Sequence, residues 1–180
     1  MKILEAIPFM MFLAYIRQID AHVPENWEMP FVTGGLAGMV IIVLFFYKKM
    51  VFDRLFLGIN LYLISGGLAV ITHQWWLNRM YDQLQASGVL LWIVGTGMVS
   101  VFFSQRGFIG GTSPYAGTIK KYSCYLLLAS GLAVAVSFLG RGNRLLSEVF
   151  PFAGLFILQH ILKHKLGDKK VQNNPGLDSG

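Results

Sequence analysis

The chain has 180 residues, of which 54% are hydrophobic and 13% charged, with a net charge of +6 at pH 7 and a mean hydropathy of +0.55. A soluble domain carries about a quarter charged residues, and a chain this short cannot enclose so much apolar surface in one core. The composition therefore argues for lipid as the cover of that surface, and basic residues spread over segment ends, with no stripe among them, argue against a nucleic-acid partner.

Six apolar segments follow one another along the chain, at 3–19, 30–47, 55–72, 87–103, 122–139 and 148–162. An 18-residue helix spans about 27 Å, close to the hydrocarbon thickness of a bilayer. The pattern predicts an all-α polytopic membrane protein: a six-transmembrane-helix bundle over residues 1–165, followed by a polar, disordered tail over 166–180.

The first segment opens on Lys2 and contains Glu5 and Pro8, with no small-residue cleavage site before Arg17, so it reads as a retained span. Glu5-x-x-Pro8, Glu28-x-Pro30 and Glu148-x-x-Pro151 read as three helix starts, each with an acid at the positive end of the dipole and a proline in the first turn. Between the first two segments, Asp20, His22, Glu25 and Glu28 form an acidic loop that reads as solvated.

The second segment carries Gly34, Gly35 and Gly38, and the third carries Gly66 and Gly67. Small residues at GxxxG-type spacing let helix backbones approach closely in lipid, either within one bundle or across a homo-oligomer face. The third segment also holds Asn60, Ser65 and Thr72, then His73, Gln74, Trp75 and Trp76 at its end. Asn60 is expected to hydrogen-bond a neighbouring helix, and the histidine and tryptophans to lie at the membrane interface.

Thr96 and Ser100 lie in the fourth segment, the single cysteine Cys124 in the fifth and Gln159 in the sixth. One cysteine permits no intrachain disulfide. Asn60, Thr72, Thr96, Ser100 and Gln159 are the polar residues that would line a solute path. His160 and His164 share a helical face, but two histidines do not complete a metal site, so no metal and no cofactor is expected. The segment GFIGGTSPYAGT at 107–118 lacks the GKS/GKT ending of a phosphate loop and reads as a flexible connection.

Six spans sort the basic residues unequally, with eleven of the fifteen Lys and Arg on the side of both termini and only Arg17, Arg79, Arg141 and Arg144 opposite. The positive-inside rule then places both termini in the cytoplasm. Trp27, Trp75 and Trp76 fall at the outer boundary of this arrangement, and Tyr47, Phe102 and Phe103 at the inner one.

The opening Leu4-Glu-Ala-Ile-Pro8-Phe9-Met-Met-Phe12-Leu13-Ala14-Tyr15, the basic break at Lys48–Lys49, the Gly66–Gly67 segment and Phe102-Phe103-Ser104-Gln105 resemble the intracellular septation protein A family. The chain lacks that family's Trp- and Asn-rich segment before the fifth span. The resemblance implies a small multi-pass protein of the bacterial inner membrane, linked to envelope integrity and division, with no catalytic residues to carry over.

H-E-x-x-H, C-x-x-C and G-x-S-x-G are all absent from the sequence. The expected function is accordingly non-enzymatic: support of the cell envelope by packing with itself or with envelope and division membrane proteins, in contact with membrane lipid. The alternative is a small-solute transporter or channel subunit that works as an oligomer. A lipid-acting enzyme is a third reading, and it would require Glu5, His73 or the outer acids to converge.

Overall fold

The computed structural model describes residues 2–18, 24–104, 107–110, 116–143 and 145–172. Seven α-helices occur among these residues, and no strand: α1 Lys2–Ile16, α2 Glu28–Tyr47, α3 Arg54–Ile71, α4 Trp75–Leu84, α5 Ala86–Phe103, α6 Ala116–Leu139 and α7 Phe150–Gln172. A 3-10 turn, Pro24–Trp27, leads into α2, and a π turn, Leu145–Val149, leads into α7. Among the described residues, five stretches are long and apolar enough to cross a membrane: α2, α3, α5, Gly117–Leu139 of α6, and Leu145–Leu166.

The segment predicted at 3–19 forms a shorter helix than expected. Helix α1 stops at Ile16, Arg17 and Gln18 form a turn, and Ile19 lies outside the described residues. Its apolar part, Leu4–Ile16, covers only about 20 Å at 1.5 Å per residue. Pro8 does not start this helix. It lies inside α1, because the chain is already helical from Lys2. Pro30 does fall in the first turn of α2, where the missing N–H costs no helical bond, whereas Pro151 follows the π turn Leu145–Val149 directly and lies inside a continuous helical stretch, so it does not start that helix either.

At the other end of the chain, α7 runs through Gln172, well past the predicted 162. Residues 166–172, expected to be disordered, are helical because Lys, Leu and Gln favour helix and no proline intervenes before Pro175. Residues 173–180 lie outside the described residues.

The chain divides into two compact units, Met1–Ile93 and Val94–Gly180. In the first, α2 packs on α1 and α3, and α4 packs on α3. Helices α2 and α3 meet at Gly35 and Gly67, where a Cβ on Gly35 would stand 2.9 Å from the Leu63 carbonyl oxygen and one on Gly67 2.7 Å from that of Phe31. Approach this close needs hydrogen in place of a side chain on both helices. Beside the crossing, the Phe31 ring lies 5.1 Å from Phe12, 5.6 Å from Tyr62 and 6.1 Å from Tyr81, forming an aromatic core.

The second unit pairs α6 with α7, the π turn resting on both. Part of the segment expected to be a flexible connection is folded in: Phe108 and Ile109 are fully buried. The Phe108 ring lies against Gly97 of α5, and the Ile109 N–H donates to Ser123 Oγ at 3.3 Å. Gly107 makes the turn inward at a φ of +58°, with Ser123 beside it leaving no space for a Cβ.

Outward faces are apolar in both units. Val40, Val43 and Phe46 of α2, Leu128 and Leu132 of α6 and Ile157 of α7 are exposed. Exposed apolar rows along helices of this length are stable only where lipid or another apolar body covers them.

Candidate functional site

Three buried polar side chains of the first unit, Glu5, Asp53 and Asn60, gather around the first turns of α3. Asp53 caps that helix, its Oδ1 accepting from the Leu55 N–H at 3.0 Å. Its own N–H donates to Glu5 Oε2 at 2.9 Å, across 48 residues of sequence. Both acids are buried.

Two turns further along α3, Asn60 Nδ2 donates to the Glu5 carbonyl oxygen at 3.1 Å and to the Phe56 carbonyl oxygen at 2.8 Å. Asn60 Oδ1 is buried without a hydrogen-bond partner. A Cβ on Gly38 would stand 3.2 Å from that oxygen, so the glycine leaves room for the amide. Glu5, Asp53 and Asn60 therefore form a clasp that ties α1 to α3 by one carboxylate and one backbone carbonyl.

The cap gives a direct test. Asp53→Ala is expected to lower the thermal stability of the detergent-solubilised protein by about 1 kcal/mol, and Asp53→Asn to restore most of it, because asparagine caps as well as aspartate. Equal losses in the two variants would remove the cap as the cause.

A second polar knot joins α3, α4 and α5. Tyr81 Oη lies 2.7 Å from Ser65 Oγ and accepts from Trp92 Nε1 at 2.8 Å, while its ring lies 4.5 Å from that of Tyr62. Tyr81 is 3% exposed.

The glycines singled out in the sequence all face inward. Gly34 lies against Phe12 and Leu63, Gly35 and Gly67 face each other, Gly38 faces Asn60 and Ile64, and Gly66 faces the Phe31 ring. Their contacts are made within the chain.

The five polar-path residues divide between the units. Asn60 is buried in the first, where Thr72 is exposed at the end of α3 and donates to the Leu68 carbonyl oxygen at 2.7 Å. Thr96, Ser100 and Gln159 are buried in the second. His73, His160 and His164 are exposed. Among the described residues, no group of three or more His, Cys, Asp or Glu side chains is placed to hold a metal ion. Asp20, His22 and the Glu25 side chain lie outside the described residues.

The second unit holds a row that the sequence reading passed over. Ser123, Ser130 and Ser137 recur every seven residues on α6, and all are buried with Ser147 of the π turn. Ser130 Oγ donates to the Leu126 carbonyl oxygen at 2.8 Å, and Ser137 Oγ to that of Ser147 at 2.6 Å. A seven-residue period keeps side chains on one helical face, so the spacing was the available signal. Between α6 and α7 lies an open apolar groove of about 370 Å³, lined by Ala129, Ala133, Pro151 and Gly154 among others.

No protein-family model, curated protein or solved structure matches this chain. Asn60 and Ser137 donate to backbone carbonyls of other elements and so tie those elements together, while Ser130 donates within its own helix.

Proposed function

We propose that this chain is an integral, multi-pass protein of the bacterial inner membrane that supports cell-envelope integrity or division by packing with itself or with partner membrane proteins, and that it is not an enzyme. The observation that carries this reading is the division of labour between faces. The glycines of α2 and α3 and the buried polar groups are used inward, as in the Gly35–Gly67 crossing and the Asn60–Glu5 bond, and the outward rows are apolar.

In this reading α1, α2, α3, α5, α6 and α7 are the six membrane helices, and the bias of Lys and Arg toward one side puts both termini in the cytoplasm. The resemblance of residues 4–15 to the septation family is the reason for seeking partners among envelope and division proteins.

In-cell crosslinking through a tag on the carboxy-terminal tail tests it. Reproducible capture of wall-synthesis or division membrane proteins is the expected result. Capture of the chain alone as a discrete oligomer would turn the assignment toward transport.

Transport by an oligomer is the second reading, favoured by the buried hydroxyl row at Ser123, Ser130 and Ser137 together with Thr96, Ser100 and Gln159. Cysteines placed singly at 60, 96 and 159 in a Cys124→Ser background measure it. Protection of all three from water-soluble thiol reagents is expected for the scaffold, and labelling at two or more would favour a solute path.

A further inference from the structure

Helix α4 was not expected from the sequence, and its surface divides three ways. At 100° per residue, Leu77, Tyr81 and Leu84 share one side, Trp76 and Met80 the next, and Asn78, Arg79, Asp82 and Gln83, with Trp75 among them, the remainder. The first side meets the rest of its unit, where Tyr81 is buried against Ser65 and Trp92. Trp76 is 64% exposed and Met80 38%, on a side that is neither the polar one nor the packed one. Arg79, Asp82 and Gln83 are exposed on the polar side.

The depth of α4 follows from the same hydrogen bonds. Ser65 lies six residues before the end of α3 at Ile71, and Trp92 six residues after the start of α5 at Ala86. Each partner is thus roughly 9 Å inside the end of its helix. One tyrosine side chain reaches both, so α4 lies beside the helix ends and does not stand off beyond them.

Its joints are equally fixed. His73 and Gln85 flank α4 with φ of 55° and 49°, a left-handed backbone that residues with a Cβ keep only when their surroundings impose it. Leu68 and Ile71 on α3 and Leu91 on α5 are exposed as well.

We infer that α4 is an interfacial helix whose Trp76–Met80 side is embedded in the headgroup–acyl boundary of one membrane leaflet, with phospholipid as its partner. The inference rests on the membrane reading above. Its single Arg and single Asp cancel, so apolar burial and not charge holds it there, and zwitterionic lipid serves as well as anionic lipid. Tryptophan at such a boundary keeps its ring among acyl carbons and its N–H among polar groups.

Spin labels on single cysteines test this in the full chain carrying Cys124→Ser, reconstituted in phosphatidylcholine vesicles and, separately, in phosphatidylethanolamine–phosphatidylglycerol vesicles. Met80→Cys is expected to collide more often with oxygen than with a water-soluble nickel chelate, and Asp82→Cys to show the reverse order, alike in both lipids. Val40→Cys, on the exposed side of α2, reports the membrane reading independently and should favour oxygen strongly.

Nickel-chelate preference at both 80 and 82, with oxygen preference at 40, would overturn the inference by placing α4 in water. A label at 80 shielded from both reagents would overturn it by showing a protein cover. Nickel-chelate preference at 40 would overturn the membrane reading, and this inference with it.

Discussion

Gly66→Ala is expected to destabilise the protein by about 3 kcal/mol, whereas Gly131→Ala should be neutral or stabilising by up to about 1 kcal/mol. Both glycines lie within helices, so any gain in helix propensity is shared and the difference isolates packing. A Cβ on Gly66 would overlap the Phe31 ring, while one on Gly131 would meet nothing within 4 Å. The Phe31 ring is buried, with Phe12, Tyr62 and Tyr81 at 5.1, 5.6 and 6.1 Å, so moving it aside displaces other core rings. One residue along, Gly67 faces the Phe31 carbonyl oxygen, so α2 cannot withdraw from the ring without opening the backbone crossing. Thermal unfolding of both variants in the same detergent measures the difference. Equal midpoints would mean that α2 and α3 do not cross at these glycines.

That crossing was legible in part from the sequence. Gly34 and Gly38 at a spacing of four must share a helical face, and Gly66–Gly67 mark a second small-residue patch. Neither spacing says which helix each face meets, because that depends on contacts distant along the chain. Asn60 is similar: its cost in an apolar segment predicts a partner, but the Glu5 carbonyl lies 55 residues away.

Other features left weaker traces or none. In α4, Trp75-Trp-Leu-Asn-Arg-Met-Tyr-Asp-Gln-Leu84 is too polar for a span and too short for its periodicity to stand out from a loop, and its position is fixed by Tyr81. The inward fold of Phe108 and Ile109 was masked by the glycines on either side, which read as flexibility although Gly107 serves a single tight turn. The serine row on α6 was legible in its seven-residue period, but hydroxyls scattered through an apolar helix draw less notice than amides.

The clasp at Glu5 carries the other large expected effect. Glu5→Leu removes the acceptor of the buried Asp53 N–H and should cost on the order of 2–3 kcal/mol, because a buried donor loses its hydrogen bond and regains no water. Glu5→Gln keeps an acceptor at the same place and should cost about 1 kcal/mol. The consequence reaches beyond stability, since the apolar part of α1 covers only about 20 Å, short of the roughly 30 Å hydrocarbon core. Hydropathy alone holds such a helix weakly, and in the proposed six-helix arrangement its place depends on α2, α3 and the Glu5–Asp53 bond. A cysteine at Leu13, exposed on α1, reports that place through a membrane-impermeant thiol reagent in the Cys124→Ser background. Labelling should rise in Glu5→Leu and stay near the unaltered level in Glu5→Gln. If Glu5→Leu destabilised the protein while the cysteine at 13 remained equally protected, α1 would be held by its contacts with α2, and the clasp would serve to fix the start of α3 alone.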